Sequence, residues 1–380
     1  MKENQFKSQY IIKTKVSKNF IFFKKFPVFL GANSNLKKVD TGVFNLRKKK
    51  YYFQLQNNSI SKKINKIYSN KKYKHNTPPP NRKGWGSYLS EKQYLNIKKY
   101  LKKDLKILEI GAGSTFFAEK IIKDHPTIKY TIVDPSIKNK PKYKNLRIIN
   151  KHFPGRVYFK EKFDLIIIFN CLEHIYDVKK TIRSLKKNLT DDGNILVEVP
   201  DVTNQLKNSD FNMFTFEHYN YFNSYSLRQI FKKEGLNLKS YKSYNDTLFC
   251  IFKKSKVNSK VTFQNKFDLR KYKKKIIKLK IIFNNLLINK VKFGIHGANF
   301  GAYNVLFLLN LIDDKRIKIF DSDQGKVGKY FGSKYIKVKK AYSKEYEKID
   351  VLFISALSFI NEIKKEIRIK KIKFKQIKSL

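Results

Sequence analysis

The fold of this chain is decided by the stretch LKILEIGAGST (105–115), in which an apolar run leads into two closely spaced glycines. The apolar run predicts a buried strand, and the glycines predict a tight turn that opens a helix. Without a Cβ atom, Gly111 and Gly113 let the backbone approach a ligand closely. The start of the following helix presents N–H groups that have no partner within the helix. The stretch therefore predicts one wall of a small-ligand site.

Four further apolar runs alternate with helix-like segments: YTIVD (130–134), LRIIN (146–150), FDLIIIFN (163–170) and NILVEVP (194–200). Nearly continuous apolar runs of this length are typical of parallel strands covered by helices on both faces. Their alternation with helices predicts an α/β fold with a Rossmann-like, doubly wound sheet. KSYKSY (239–244) and TLFCIF (247–252) flank a polar turn, which predicts an antiparallel hairpin at the sheet edge.

Two changes in composition divide the chain. The segment HNTPPPN (75–81) cannot continue a helix or a central strand, and a polar stretch follows Lys253. Beyond that stretch come a long basic helix and a second α/β set, with VKFGI, IKIFD and IDVLFIS as strands. We therefore predict a small amino-terminal domain (1–82), a central Rossmann-like domain (83–257) and a second Rossmann-like α/β domain (258–380).

The chain carries 83 Lys and Arg against 30 Asp and Glu, a formal net charge of +53. Such a charge can attract nucleic acid or an anionic membrane surface, but here the lysines are spread along the whole length. We therefore do not expect a nucleic-acid partner. No apolar run reaches the roughly 18 residues that cross a bilayer, and the opening residues lack a signal-peptide pattern, so we expect a cytoplasmic protein.

Two acidic residues flank the glycine turn in positions that suit a nucleoside carrying an amino acid. Glu109 directly precedes the turn, where a carboxylate can pair with the ammonium of a methionyl group. Asp134 ends the next strand, where a carboxylate can bind two ribose hydroxyls. Phe116 replaces the third glycine of the dinucleotide fingerprint, which argues against NAD. These features predict S-adenosylmethionine as the cofactor; the alternative is that both carboxylates only cap strand ends.

The fourth apolar run of the central domain ends in Asn170, Cys171, Leu172, Glu173 and His174. In an open parallel sheet, ligands lie at this carboxyl edge, near the point where the strand order reverses. We therefore expect Asn170, Glu173 and His174 to face the same crevice as the glycine turn. Asn170 and Glu173 are predicted to contact the cofactor, and His174 to serve the chemistry or the structure of the site.

The chain resembles sugar (nucleotide-sugar) C-methyltransferases in the blocks LEIGAGS, IVDPS, FDLIIIFNCLEHIYDV, FEHYNYFNSYSLRQIFKKEGL, GIHGANFGAYNVLFLL and IFDSDQGKVGKYFGS, in this order. Those proteins combine an amino-terminal, normally zinc-binding domain, a central class I methyltransferase domain and a carboxy-terminal α/β domain. The resemblance implies methyl transfer from S-adenosylmethionine to a nucleotide-linked sugar, in cell-surface polysaccharide or deoxysugar biosynthesis. It implies that the sugar nucleotide lies between the last two domains, near Gly297, Ala298, Asn299 and Asp321.

Two departures from that family are visible. The family's zinc-binding cysteines are missing, since only Cys171 and Cys250 occur in the chain, so we expect no zinc and no other metal. C-methylating members carry a Tyr-His-Glu-His run, which here reads Thr215-Phe216-Glu217-His218. Loss of the leading tyrosine leaves both C- and O-methylation open.

Methyl transfer needs a nucleophile in line with the departing sulfur and a group that accepts the nucleophile's proton. His218 is the predicted general base, because imidazole titrates near neutral pH, and Glu217 or Tyr221 is predicted to orient it. His174 is the second candidate, as a group that stabilises developing oxygen charge. The alternative for His218 is a structural histidine in an aromatic cluster.

Three other functions remain open from the sequence. GIHGANFG (294–301) followed by Asp321 has the spacing of a dinucleotide site, which would make the last domain an NAD(P)-binding or reductase module. The charge alone would suit an RNA methyltransferase, although no RNA-binding signature is visible. The departures from the family also fit a non-catalytic descendant. The expected partner is a small nucleotide sugar, and the protein is expected to be a monomer or a dimer.

Overall fold

The computed structural model describes residues 14–35, 39–56, 59–68, 85–137, 140–155, 157–244, 246–254 and 268–380. Within these residues the chain forms three sheets, of five, seven and five strands. The two boundaries predicted near residues 82 and 257 lie outside the described ranges. None of the helices in these ranges is long and apolar enough to cross a membrane.

The amino-terminal sheet is antiparallel and has one buried face. Its own elements are β1 (Thr14–Val16), β2 (Phe20–Pro27), β3 (Thr41–Lys48), β4 (Phe53–Gln56) and helix α1 (Ser59–Tyr68). Phe23 of β2, Phe44 of β3 and Leu55 of β4 are buried on this face. Phe26 packs between Phe23 and Phe44, with ring centroids 4.9 Å from each. An aromatic core thus stabilises this small sheet.

The central domain has the predicted Rossmann-like, doubly wound fold. Its elements are α2 (Trp85–Ile97), β5 (Lys106–Ile110), α3 (Phe116–Asp124), β6 (Lys129–Val133), β7 (Leu146–Ile149), β8 (Phe163–Phe169), α4 (Val178–Asn188), β9 (Leu189–Pro200), α5 (Val202–Asn208), β10 (Asn220–Tyr221), α6 (Ser224–Lys233), β11 (Asn237–Tyr244) and β12 (Thr247–Lys253). The strand order is β11-β12-β9-β8-β5-β6-β7, with the β11–β12 hairpin antiparallel at one edge as predicted. The order reverses between β5 and β8, so a ligand crevice is expected at their carboxyl ends.

The last domain is the predicted second Rossmann-like unit. Its elements are α7 (Arg270–Ile288), β13 (Phe293–His296), α8 (Phe300–Leu308), β14 (Lys318–Asp321), β15 (Val338–Lys340), α9 (Lys344–Glu347), β16 (Val351–Ile354), α10 (Ile360–Ile369) and β17 (Gln376–Ser379). All five strands are parallel, in the order β15-β14-β13-β16-β17. The sequence did not reveal β15 and β17, because these short edge strands are rich in lysine and polar residues.

The amino-terminal sheet connects the two Rossmann-like domains. Its fifth strand is β10, which pairs antiparallel with β4 although it belongs to the central part of the sequence. On the other side, Phe29 stacks on Tyr303 with ring centroids 4.1 Å apart, and Asn33 exchanges backbone hydrogen bonds with Tyr330. All three regions therefore contribute to the walls of one crevice.

Candidate active site

A crevice of about 2570 Å³ lies between the three regions. Small-ligand pockets usually enclose about 300–1,000 Å³, so this crevice has room for two ligands side by side. One wall comes from the carboxyl ends of β5, β6 and β8, and the facing wall comes from the turn after β13 and the end of β14. The predicted cofactor residues and the predicted substrate residues therefore line one continuous space.

The glycine turn after β5 is held in a conformation that other residues rarely adopt. Gly111 and Gly113 have φ angles of +75° and +66°. A Cβ atom on Gly111 would lie 2.3 Å from the sulfur of Cys171, in the turn after β8. Glycine at 111 is thus required both by the backbone angle and by the close approach of the neighbouring strand end.

Glu109 lies at the end of β5 and is almost fully buried. The hydroxyl of Tyr130 donates a hydrogen bond of 2.9 Å to Glu109 Oε2. Burial raises the pKa of Glu109 to about 8. A cationic ligand group beside this carboxyl would favour its ionised form.

Asp134, at the end of β6, is tied to the glycine turn. One carboxylate oxygen accepts from the backbone N–H of Gly113 at 2.8 Å. The other accepts from the backbone N–H and the hydroxyl of Ser136, at 2.7 and 2.5 Å. A carboxylate offers about four acceptor positions, so these three bonds leave capacity for a ribose hydroxyl. Ser136 was not singled out from the sequence.

A buried carboxylate that the sequence analysis missed holds the edge of the cofactor wall. Glu198 on β9 is fully buried, and it accepts hydrogen bonds from Gln93 of α2 at 2.5 Å and from Asn170 at 3.1 Å. Tyr244 on β11 donates a third bond to it. Burial raises the pKa of Glu198, and the three donors oppose that rise. Asn170, whose φ is +47°, is thereby fixed by its side chain.

Glu173, His174 and His218 come together although His218 is distant from the other two in sequence. Their candidate ligand atoms all lie within 4.8 Å of one another. Glu173 is 2% exposed, its Oε1 lies 3.8 Å from His174 Nε2, and its Oε2 has no hydrogen-bond partner within the described part of the chain. Burial raises the pKa of Glu173 to about 8. Burial, with a smaller contribution from His174, lowers the pKa of His218 well below its usual range, which keeps that imidazole neutral.

The segment that carries Glu217 and His218 is held by backbone contacts. The Nδ1–H of His174 donates to the backbone carbonyl of Glu217 at 2.7 Å. Thr215, at the place of the family tyrosine, accepts from the Glu217 N–H through its hydroxyl at 3.1 Å. Ser61 of α1 donates to the carbonyl of Phe216 at 2.8 Å. Because these bonds join the amino-terminal and central regions, the position of His218 depends on the amino-terminal helix as well as on the central sheet.

Tyr221, predicted as a catalytic residue, has a different position from Glu217 and His218. Its side chain is 2% exposed, and its hydroxyl donates to the backbone carbonyl of Thr215 at 3.0 Å. It does not belong to the lining of the crevice. The phenol packs beneath the histidine pair, with its ring centroid 6.1 Å from that of His218. The structure therefore gives Tyr221 a supporting position rather than a place against a ligand.

The facing wall contains the four predicted substrate residues. Gly297 has a φ of +111°, and Ala298 and Asn299 follow it at the start of α8. Asp321 accepts from the Ala298 N–H at 2.9 Å and from the Lys326 ammonium at 3.0 Å. Three further residues that the sequence analysis did not single out also line this wall: His296, Lys326 and Lys329. The N–H groups of Ala298, Gly301 and Ala302 at the start of α8 are bonded to Asp321, Asn212 and Asn299, so the two lysines provide the donors and positive charge for an anionic ligand.

Comparison with known proteins agrees with this geometry. Residues 83–241 match the family described as "Methyltransferase domain". C-methyltransferase NovU from Streptomyces niveus is 35% identical over 68 residues, which cover 18% of this chain and 16% of NovU. The matched part is thus a small fraction of that relative.

Solved methyltransferases resemble the central domain only distantly. CalO1, a methyltransferase in calicheamicin biosynthesis solved in its SAH-bound form, has 15% identity and a TM-score of 0.37, over 45% of this chain and 56% of CalO1. The 1,6-didemethyltoxoflavin-N1-methyltransferase of Burkholderia thailandensis has 11% identity and a TM-score of 0.39, over 56% and 99%. With TM-scores below 0.5, these likenesses establish neither substrate nor chemistry.

The matched family, the strand order and the glycine turn agree on the kind of domain. Residues 83–241 match a methyltransferase domain and form most of a doubly wound, Rossmann-like sheet with a glycine turn after β5. In this chain the domain lies between an antiparallel amino-terminal sheet and a second Rossmann-like domain.

Proposed function

We propose that the protein is a cytoplasmic enzyme that transfers a methyl group from S-adenosylmethionine to a nucleotide-linked sugar, in cell-surface polysaccharide or deoxysugar biosynthesis. The observation that carries this proposal is the shared crevice. The methyltransferase wall holds Glu109, the glycine turn and Asp134, and the facing wall holds Gly297 to Asn299 with Lys326. A cofactor on the first wall and an anionic acceptor on the second would meet between them.

On the cofactor wall, each predicted residue has a role that its position suits. The carboxylate of Glu109 pairs with the methionyl ammonium, and Asp134 accepts from the ribose. The turn from Gly111 to Gly113 lies against the nucleoside, where any Cβ atom on Gly111 would already collide with Cys171. Asn170, fixed by Glu198, lines the crevice beside the turn.

On the facing wall, the nucleotide part of the acceptor binds through its phosphates. The ammonium groups of Lys326 and Lys329 offer positive charge and hydrogen-bond donors. Lys326 is held beside Asp321 at 3.0 Å, which fixes the position of its ammonium. Lysine ammonium groups are common ligands of phosphate.

In the methyl transfer itself, the acceptor oxygen or carbon attacks the sulfonium methyl in line with the departing sulfur. The carbon–sulfur bond breaks, the new bond to the acceptor forms, and S-adenosylhomocysteine leaves. The acceptor's proton passes to the neutral imidazole of His218 in the metal-free protein. The backbone carbonyl of Glu217 accepts a hydrogen bond from His174. Because Glu217 directly precedes His218, this bond helps to position the imidazole of His218.

The direct test incubates the purified chain with methyl-labelled S-adenosylmethionine and a panel of nucleotide sugars. The expected result is label in one nucleotide sugar, and the position of the label in the product separates C- from O-methylation. A Lys326→Ala variant should raise the KM for the sugar nucleotide while cofactor affinity stays unchanged. Transfer to the free sugar at the same rate as to its nucleotide would contradict the role of this wall.

A further inference from the structure

The cluster formed by Glu173, His174 and His218 has the composition of a cation site. It offers two imidazole nitrogens and one carboxylate oxygen, all within 4.8 Å of one another. Such a two-histidine, one-carboxylate set suits divalent first-row transition cations. In a tetrahedral arrangement, bonds of about 2.1 Å place ligand atoms roughly 3.4 Å apart, so an inward rotation of these side chains would bring the three atoms to coordinating distance.

Glu173 supplies an independent reason to expect a ligand here. Its side chain is 2% exposed, yet Oε2 has no hydrogen-bond partner among the residues that the structure describes. Buried polar atoms are almost always paired, because an unpaired one destabilises the fold. A cation bound to this carboxylate would satisfy the atom.

The contacts of His174 also indicate a cation site. Metal-binding histidines usually donate their second ring N–H to a carbonyl or carboxylate, which fixes the tautomer and the ring orientation. His174 does this through Nδ1, which lies 2.7 Å from the carbonyl oxygen of Glu217, while Nε2 lies on the side of Glu173. The ring of His218 stands nearly perpendicular to it, with centroids 4.9 Å apart.

We propose that Glu173, His174 and His218 bind one divalent transition cation, such as Mn²⁺ or Co²⁺, at the acceptor end of the crevice. Three protein ligands leave coordination positions open for an oxygen of the acceptor. Binding of the cation does not depend on the proposed function, whereas its catalytic consequence does. Because a bound cation lowers the pKa of an acceptor hydroxyl, its effect on methyl transfer favours O-methylation over C-methylation.

In the cation-bound form, the acceptor hydroxyl binds the cation and its pKa falls. The hydroxyl proton leaves to solvent water, and the resulting alkoxide attacks the sulfonium methyl. The oxygen–carbon bond forms as the carbon–sulfur bond breaks, and S-adenosylhomocysteine is released. No oxidant or reductant is needed, because the cation keeps its charge throughout. His218 is then a ligand, and the cation replaces it as the group that ionises the acceptor.

The test titrates the tag-free, chelator-stripped chain with Mn²⁺ and follows free Mn²⁺ by electron paramagnetic resonance. Co²⁺ absorption in the visible range reports nitrogen ligation. We expect one equivalent of Mn²⁺ per chain, with the Kd raised more than about 10-fold by Glu173→Gln and by His218→Gln. His125→Gln, the same type of substitution at the end of α3, should leave the Kd unchanged.

Saturable binding that is unchanged in both cluster variants would overturn the proposal, as would the absence of saturable binding in the wild type. If Glu173→Gln does not fold, as judged by circular dichroism, His218→Gln decides alone. These outcomes are separate from the proposed function, which fails instead if S-adenosylmethionine does not bind. Where a hydroxyl acceptor is found, chelation should lower turnover and Mn²⁺ should restore it.

Discussion

The Nδ1 atom of His174 lies 2.7 Å from the carbonyl oxygen of Glu217, and this contact joins the turn after β8 to the segment before β10. Through it, the carboxyl edge of the methyltransferase sheet positions the residue beside His218. The same segment is held from the other side by Ser61 of α1. The candidate chemistry thus depends on contacts between the central domain and the amino-terminal region.

The His218 side chain can be tested by truncation. His218→Ala should leave cofactor affinity nearly intact and lower kcat by about 10² to 10⁴, the usual contribution of a general base. Glu217→Gln should lower kcat less, because it keeps the backbone carbonyl that binds His174. Calorimetry and turnover with labelled cofactor measure the two quantities. A large fall in Tm accompanying the loss, absent in His125→Ala, would favour a structural role for His218.

Cofactor binding should depend on pH through Glu109. Burial raises its pKa to about 8, so at pH 7 the free protein holds this carboxyl mostly protonated. A bound ammonium favours the carboxylate, so binding should release a proton, and affinity should rise with pH by up to about tenfold per unit until about pH 8. Calorimetry in two buffers of different ionisation enthalpy measures the released proton. Glu109→Gln should release none; equal release by this variant would assign the proton to another group.

The glycine turn offers a matched pair of substitutions. Gly111→Ala and Gly328→Ala both place a side chain at positive φ, +75° and +81°, a backbone cost of about 1–2 kcal/mol. Only the Cβ at 111 meets another atom, Cys171 Sγ at 2.3 Å, while that at 328 meets open space. Gly111→Ala should therefore lower Tm further and weaken cofactor binding. Equal effects of the two variants would show that the contact with Cys171 has no consequence.

The amino-terminal contribution can be tested at Ser61. Ser61→Ala removes the donor to the buried carbonyl of Phe216, at a cost of about 1–3 kcal/mol. If this bond positions the next two residues, kcat should fall while cofactor affinity stays unchanged. Lys62→Ala, at an exposed position of the same helix, serves as the control for side-chain truncation in α1 that leaves the bond to Phe216 intact. Unchanged kcat in Ser61→Ala would make the bond purely structural.

The parts of the fold that follow from local sequence were predictable. Residues 105–134 contain a buried strand, a glycine turn and a carboxylate at the end of the next strand. The residues of the cofactor wall could therefore be predicted from the local sequence. The two Rossmann-like sheets also follow from alternating apolar runs, although short polar edge strands such as Gln376–Ser379 leave no such pattern.

What could not be predicted depends on contacts between distant segments. Glu198 sits inside an apolar run, and only the fold brings Gln93 and Asn170 to it. Nothing in the sequence shows that β10 completes the amino-terminal sheet. For the same reason the sequence does not show that the hydroxyl of Tyr221 donates to the carbonyl of Thr215, and the catalytic role of this residue stays a prediction.

Calorimetric titration of the wild-type chain, separately with S-adenosylmethionine and with NAD, tests whether the proposed cofactor is the one that binds. We expect one S-adenosylmethionine to bind per chain and no saturable binding of NAD. Asp134→Ala should lower the affinity for S-adenosylmethionine at least about tenfold. Loss of one or two hydrogen bonds to a charged group, each about 1.5–3 kcal/mol, gives that size of effect. Binding of NAD without binding of S-adenosylmethionine would contradict the account, as would equal S-adenosylmethionine affinity in the Asp134→Ala variant.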